Sequence, residues 1–347
     1  LPKVTRADVA RLAGVSTAVV SYVVNGGPKP VSAAATARVQ DAIERLRYRP
    51  NSTARALAIG STMTIGLVVP DTTNPLFAEY AREIQRAAAT RGYALLNTNS
   101  EFDPTIELQN AFDLCDRQID GLLVAGAIDG SRIGELLHRG VRTPTVLIDA
   151  ASPVTGFTTV GPDASRGTAA LVDHLLRVHR HVSVALIIGD SADPALDGRE
   201  RGWMAGHARN GRRPGPIDRA AFSRQGGYAA GLRLMRRTDR PSAILASSDL
   251  QAIGLLRAAH ELAVRVPEDL AVASFDGTEE SKFSWPALTS AQQPLRAMAD
   301  VAVNALLEPH GNAQHHQVSM RLIIRSSCGC GSGTEPVDIP EEDGAEV

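Results

Sequence analysis

The sequence predicts an α/β chain led by a small all-helical domain, and three observations carry that prediction. Residues 4–25 spell two short helices about a glycine. From residue 65 onward, strand-like apolar runs alternate with amphipathic helical ones. Positive charge gathers ahead of that alternation and negative charge behind it. At 347 residues and 44% apolar content, the chain exceeds one ordinary core, so two or three compact units are expected.

The first element pair lies in VTRADVARLAGVSTAVVSYVVN, Val4 to Asn25. Thr5 and Asp8 are spaced as a capping box, Val9, Ala10 and Ala13 form an inward stripe, Gly14 supplies the turn, and Ser16 is placed to cap the second helix. On that helix Val20, Val23 and Val24 share one face and Thr17, Ala18, Ser21 and Tyr22 the other. A small polar face lets a helix backbone approach base edges, where Thr and Ser donate and Ala meets a thymine methyl. The alternative is an ordinary helical hairpin in a core. A third helix is expected from Val31-Ser32 to about Leu46.

Charge divides the chain at the same place. Residues 1–60 hold nine basic side chains (Lys3, Arg6, Arg11, Lys29, Arg38, Arg45, Arg47, Arg49, Arg55) against three acids (Asp8, Asp41, Glu44), while the whole chain has 36 and 38. Only this first segment suits a polyanion.

Further on, strands are predicted at 65–69, 93–98, 121–124, 145–148, 157–160, 182–188, 243–246, 270–275 and 321–324, with helices at 76–91, 105–117 and 164–178. Such alternation gives parallel sheets with crossover helices on both faces, and so many strands favour two sheets over one. No apolar run approaches the ~20 residues of a membrane helix and no signal sequence is visible, so a cytoplasmic protein with no membrane partner is expected. Cys115 reads as core. Cys328 and Cys330 fall in an exposed-looking tail, and two ligands make no closed metal site. Residues 328–347, acidic and poor in apolar side chains, are expected to be disordered.

Polar groups placed after strands mark a candidate cleft. Asp71 and Asn74 follow the first strand, with Phe77 one turn on; Asp149 ends TVLID, Asp249 follows ILASS, and Phe275-Asp276 ends the strand AVASF. Carboxylates accept hydroxyl donors and aromatic rings cover the apolar face of a sugar or base. Asp71, Asp249 and Asp276 could instead cap helices, and Phe77 and Phe275 could be core.

Residues 1–49 resemble the DNA-binding headpiece, and 50–61 the hinge, of the LacI/GalR family of bacterial transcription regulators: after the helical hairpin comes YRPNSTARALAIGST, similar to the family's hinge segment. The resemblance implies DNA contacts from Thr5, Ser16, Thr17, Ala18, Ser21, Tyr22 and Asn25, and a hinge at 50–61 in which Leu57, with Asn51 and Ala54 beside it, wedges the minor groove. Packing of Leu57 against a partner's hinge is the alternative. Residues 62–327 are similar to the family's effector-binding and dimerisation core, related to periplasmic sugar-binding proteins. That implies two Rossmann-like lobes, 62–161 with 291–323 and 162–290, with crossovers near Gly161, Ala291 and Leu322. It also implies a homodimer on double-stranded operator DNA, associated with the nucleoid when bound. Arg199, in DGRERGW, matches the family's effector-binding arginine, although a surface pair with Asp197 or Glu200 would also suit it.

Four departures bear on specificity. Tyr22 stands where many members carry arginine, Ala125 replaces a polar residue, Leu76 replaces an aromatic common in purine binders, and Gly277 follows Asp276 where a second acid is common. The third tilts the expected effector toward a sugar or sugar derivative over a purine.

An enzyme is not expected, since no nucleophile elbow, zinc-protease pair or phosphate loop occurs. His174, His179 and His181 lack a suitably spaced Cys or acid, His315-His316 reads as a solvated loop, and no metal or other cofactor is implied. The sequence therefore describes a DNA-binding regulator, expected to be a repressor, whose operator affinity a small ligand controls. A ligand sensor acting on a protein partner is the second reading.

Overall fold

A computed structural model describes residues 4–25, 30–49, 56, 60–125, 130–150, 152–189, 197–308, 312–331 and 336–339. The chain forms two compact units, residues 1–64 and 65–347. The first holds helices α1 (Arg6–Ala13), α2 (Thr17–Asn25) and α3 (Ala33–Leu46).

Each helix of this unit starts on a short polar side chain. The Asp8 carboxylate accepts from the Thr5 N–H at 3.0 Å and the Thr5 hydroxyl at 2.7 Å. Ser16 Oγ accepts from the Val19 N–H and Ser32 Oγ from the Ala35 N–H, both at 3.3 Å. Gly14 ends α1 at φ 64°, a left-handed conformation that strains any residue with a Cβ. The turn sets α1 and α2 at 105°, within the helix-turn-helix range. Val9, Ala10, Ala13, Val20, Val39, Ala42 and Tyr48 make the core. In so small a core, caps worth ~1 kcal/mol each are a large share of stability. Asn51, Ala54 and Leu57 lie outside the described residues.

The second unit contains two sheets. The first runs β11-β5-β4-β3-β1-β2, with β1 Thr64–Val69, β2 Ala94–Asn99, β3 Gly121–Ala125, β4 Thr145–Ile148, β5 Thr158–Pro162 and β11 His315–Val318. Helices α4 (Pro75–Ala89), α5 (Pro104–Asp116), α6 (Gly130–His138) and α12 (Leu295–Leu307) accompany it. Two apolar layers result. Ile65, Leu67, Tyr80, Ile84 and Met298 fill one, and Val68, Leu122, Val124, Ile133 and Leu147 the other. Strands buried on both faces read as continuous apolar runs, as β1, β3 and β4 do.

The second sheet runs β13-β12-β10-β9-β8-β6-β7: β6 Ala185–Ile188, β7 Ile217–Arg219, β8 Ala243–Ala246, β9 Ala271–Asp276, β10 Thr289–Gln292, β12 Arg321–Ile323 and β13 Val337–Asp338. β6 to β10 pair in parallel, whereas β12 and β13 add antiparallel at one edge. Its helices are α7 (Ala164–Arg177), α8 (Gly198–Arg209), α9 (Arg224–Met235), α10 (Asp249–Glu261) and α11 (Glu279–Phe283). α8 and α7 approach so closely that a Cβ on Gly202 would lie 2.1 Å from the Ser165 carbonyl oxygen. Trp203, 1% exposed, donates from Nε1 to the Val184 carbonyl at 2.8 Å. His207 Nε2 accepts the Val184 N–H at 3.0 Å, so the pair satisfies the backbone at the entry to β6.

Several expectations are corrected. Ala291 and Leu322 do not return to the first lobe: β10 pairs with β9 and β12 with β10, so only α12 and β11 of residues 291–323 join the first sheet. His315-His316 is no solvated loop, since β11 adds in parallel to β5 and His315 Nδ1 lies 2.7 Å from Thr159 Oγ1. The described part of the tail is ordered. Cys328 is 2% exposed, Ser327 Oγ donates to the Val272 carbonyl at 2.6 Å, and β13 is tied by an Arg321–Asp338 ion pair. Folding also brings His174 and His179 against Cys328 and Cys330, a set that spacing along the chain could not reveal.

Candidate functional site

The headpiece exposes Ser16, Thr17 and Ala18, with Ser21, Tyr22 and Asn25 half-buried beside them. Small side chains at the exposed start of α2 leave its backbone free to approach a groove, because only β-carbons and hydroxyls stand in the way. Asn25 Nδ2 donates to Ser21 Oγ at 3.3 Å, which orients both. Thr5 is exposed but already bonded to Asp8. The basic side chains Arg38, Arg47 and Arg49 are exposed around α3.

In the second unit, the chain passes between sheets after Pro162, after Gln292 and between Val318 and Arg321. Asp149 follows β4 of the first sheet at φ 59°. From the second lobe Arg199, one residue into α8, comes under its influence. Arg199 forks onto Asp197 through Nε at 3.1 Å and Nη2 at 2.9 Å, and Nη1 donates to the Ser247 carbonyl at 3.3 Å. Its guanidinium lies 4.7 Å from the Phe222 ring centre and 5.7 Å from that of Phe275. Burial opposes the charge, but Asp197, Asp149 and Asp276 together raise the guanidinium above its ordinary value.

The carboxylates around it are unequal. Asp197 has its fork to Arg199 and stays low despite burial. Asp149 is pushed up to about 6, chiefly by burial, with Arg199 opposing and Asp197 adding to the rise. Asp276, 4% exposed at φ 104°, is raised well above the ordinary carboxylate range by burial and then by Asp249. It accepts from Gln293 Nε2 at 3.0 Å and the Asp249 N–H at 3.3 Å. Among the described residues, three carboxyl groups thus gather about one cation. A ligand rich in hydroxyl donors would redress that imbalance.

Of the eight predicted contact residues, Asp149, Arg199, Phe275 and Asp276 converge. The others do not. Asp249 is 1% exposed and bonded to Ser274 Oγ at 2.6 Å and to Thr278 N and Oγ1 at 2.7 Å each, so it anchors the turn after β9. Asn74 caps α4 through the Leu76 N–H at 3.1 Å, and Phe77 is 6% exposed in the first core. Asp71 spends Oδ1 on Thr73 N and Oγ1 at 2.8 and 2.7 Å. Phe222 was not predicted; it follows β7, a three-residue strand with no apolar run to announce it. Nor was Tyr80, 1% exposed, whose hydroxyl has no hydrogen-bond partner among the described residues and feels burial and then Asp149.

Residues 5–51 match the family model for bacterial regulatory proteins, lacI family, and residues 172–328 that for a periplasmic binding protein-like domain. The ribose operon repressor of Escherichia coli (strain K12) is 33% identical over 93% of this chain and 99% of its own length. The chain belongs to the lacI family. Among solved structures, a lac repressor dimer bound to operator and the anti-inducer ONPF covers 94% of this chain and 99% of its own. Its TM-score is 0.82 at 25% identity. A complex of the transcriptional regulator CelR with cellobiose covers 94% and 100%, with a TM-score of 0.68 at 25% identity.

Proposed function

We propose that this lacI-family chain is an operator-binding repressor, acting as a homodimer in the cytoplasm, whose DNA affinity is set by a sugar or sugar derivative held between the two lobes. The observation that carries the effector reading is the crowding of Asp149 and Asp276 about the Arg199 guanidinium, which also lies 4.7 and 5.7 Å from the ring centres of Phe222 and Phe275. Hydroxyls donate to the carboxylates, the ring oxygen and remaining hydroxyls face the guanidinium, and no phosphate is called for. The names of the relatives, a ribose operon repressor and a cellobiose-bound regulator, support that ligand class.

Coupling to DNA follows from the cleft joining two lobes. Glu79 on α4 accepts the Glu279 N–H at 2.9 Å across the lobes, at the start of α11. A ligand bridging Asp149 on one side and Arg199 and Asp276 on the other changes the lobe angle, and hinges attached to the first lobe follow. Two headpieces then meet half-sites about 34 Å apart, or they do not. A subunit face is offered by α11 and the turn after it, where Phe283 is 73% and Trp285 94% exposed. The proposed Leu57 wedge belongs to the same mechanism.

Fluorescence anisotropy on duplexes drawn from upstream of the chain's own gene, with and without pentoses, hexoses, disaccharides and purines, tests this reading. A specific duplex whose affinity changes with a sugar is expected. A response to purines alone refutes the ligand class, and no preference over random duplex refutes the whole reading.

A further inference from the structure

At the opposite end of the second lobe, four side chains with soft donor atoms meet. His174 closes the last turn of α7, His179 lies just beyond it, and Cys328 and Cys330 flank Gly329 after the last strand of the lobe's main body. Their ligand atoms all lie within 4.8 Å of one another. His174 Nε2 is 3.2 Å from His179 Nε2, 3.5 Å from Cys328 Sγ and 3.6 Å from Cys330 Sγ, and Cys330 Sγ is 3.3 Å from His179 Nε2. A tetrahedron with zinc–nitrogen bonds of ~2.05 Å and zinc–sulfur bonds of ~2.3 Å has nitrogen–nitrogen edges of about 3.3 Å and nitrogen–sulfur edges of about 3.5 Å. These four edges fit those lengths.

Two features around the cluster match what metal ligands require. Gly329 adopts φ 105°, and a Cβ there would lie 3.3 Å from the His179 ring. The positive φ turns the chain so that neighbouring thiols reach the same point, a task other residues perform only with strain. Thr289 Oγ1 lies 3.1 Å from Cys328 Sγ, a donor placed for a thiolate, as supporting groups around metal ligands are. The cysteines are free thiols rather than a disulfide.

We infer that His174, His179, Cys328 and Cys330 form a structural Zn2+ site that staples the C-terminal segment to the end of α7. All four corners of the coordination shell come from the protein, which leaves no open position for catalysis. The site sits at the amino ends of the strands, since Cys328 packs beside Thr289 at the start of β10 and Ser327 bonds Val272 near the start of β9. It is thus remote from the sugar cleft and does not depend on how that cleft is read. Two thiols and two imidazoles favour zinc over magnesium or calcium, which take oxygen.

The test uses the untagged full chain, produced with added zinc sulfate under reducing conditions and dialysed against metal-free buffer. Elemental analysis is expected to give about one zinc per chain, as a closed four-ligand site retains. Cys330→Ser and His179→Gln, at half-exposed positions, are expected to lose that zinc while keeping wild-type circular dichroism; Cys115→Ser is expected to keep it. Cobalt substitution should give thiolate-to-metal charge transfer in the wild type and a weakened band in Cys330→Ser. Zinc absent from the wild type, zinc retained by both ligand variants, or an intact mass short of two hydrogens with no metal would each overturn the proposal.

Discussion

The two ends of the second lobe hold opposite chemistry on one frame. At the carboxyl ends of its strands, Arg199 and Asp276 are hard nitrogen and oxygen groups, with Asp149 beside them from the first lobe. At the amino ends, His174, His179, Cys328 and Cys330 are soft donors within reach of one another. Parallel strands explain the division. Loops at their carboxyl ends open toward the neighbouring lobe and vary without disturbing the sheet. The other end closes the chain and gains from a staple.

The core that joins the two ends offers the largest effect. Trp203→Ala removes the largest fully buried side chain and the hydrogen bond to the Val184 carbonyl. Chemical unfolding of the core should show a loss of ~3–5 kcal/mol; a loss below ~1 kcal/mol would mean that the two ends are held together some other way.

Next comes the cleft itself. Arg199→Ala should abolish the sugar response and leave operator affinity in sugar-free buffer within about threefold, a change of ~0.7 kcal/mol, because the headpiece is untouched. Anisotropy titrations check both halves. Loss of DNA binding instead would assign Arg199 to the structure of the lobe.

A pH titration sharpens the contrast between hard and soft ends. Asp149, raised from the usual 3.8 to about 6, is neutral at pH 5 and ionised at pH 8. For folding, a raised carboxyl contributes stability below its unfolded value, and that contribution is lost as pH rises through about 6. Sugar hydroxyls donate to the ionised form, so ligand affinity should instead climb with pH through about 6 and then level. Asp149→Asn should flatten the climb. A wild-type affinity constant from pH 5 to 8, measured by calorimetry, would exclude Asp149 as an acceptor.

Smaller effects are expected at the lobe contact and the headpiece. Glu79→Gln keeps the acceptor to the Glu279 N–H but removes its charge at the start of α11. Sugar affinity should move by no more than a few-fold, the ~0.3–1 kcal/mol of such contacts. Ser16→Ala should lower headpiece stability by ~1 kcal/mol through the lost bond from the Val19 N–H, seen by thermal melting, with operator affinity falling in parallel.

How much was legible follows from the same physics. Strands buried on both faces announced themselves as apolar runs: Thr145–Ile148 and Ala243–Ala246 are the predicted strands. β7, β10 and β11 read IDR, TSAQ and HHQV and carried no such signal. β10 is buried through hydrogen bonds instead, Ser290 to the Ser274 carbonyl and the Arg325 N–H to Thr289 Oγ1. Carboxylates after strands pointed to Asp149 and Asp276, which come together about Arg199, and equally to Asp249, whose carboxylate anchors a turn, because both arrangements look the same in sequence. Phe222 and the His–Cys cluster stayed hidden because distant segments assemble them, and local spacing carries no trace of that.

The most direct test of the account is reciprocity between cleft and operator. The factor by which saturating sugar changes operator affinity, measured by anisotropy, should equal the factor by which saturating operator changes sugar affinity, measured by calorimetry. Both should fall within about 5–150-fold. A sugar that binds the core, loses affinity in Arg199→Ala, and yet leaves operator affinity unchanged would contradict the claim that this cleft controls DNA binding.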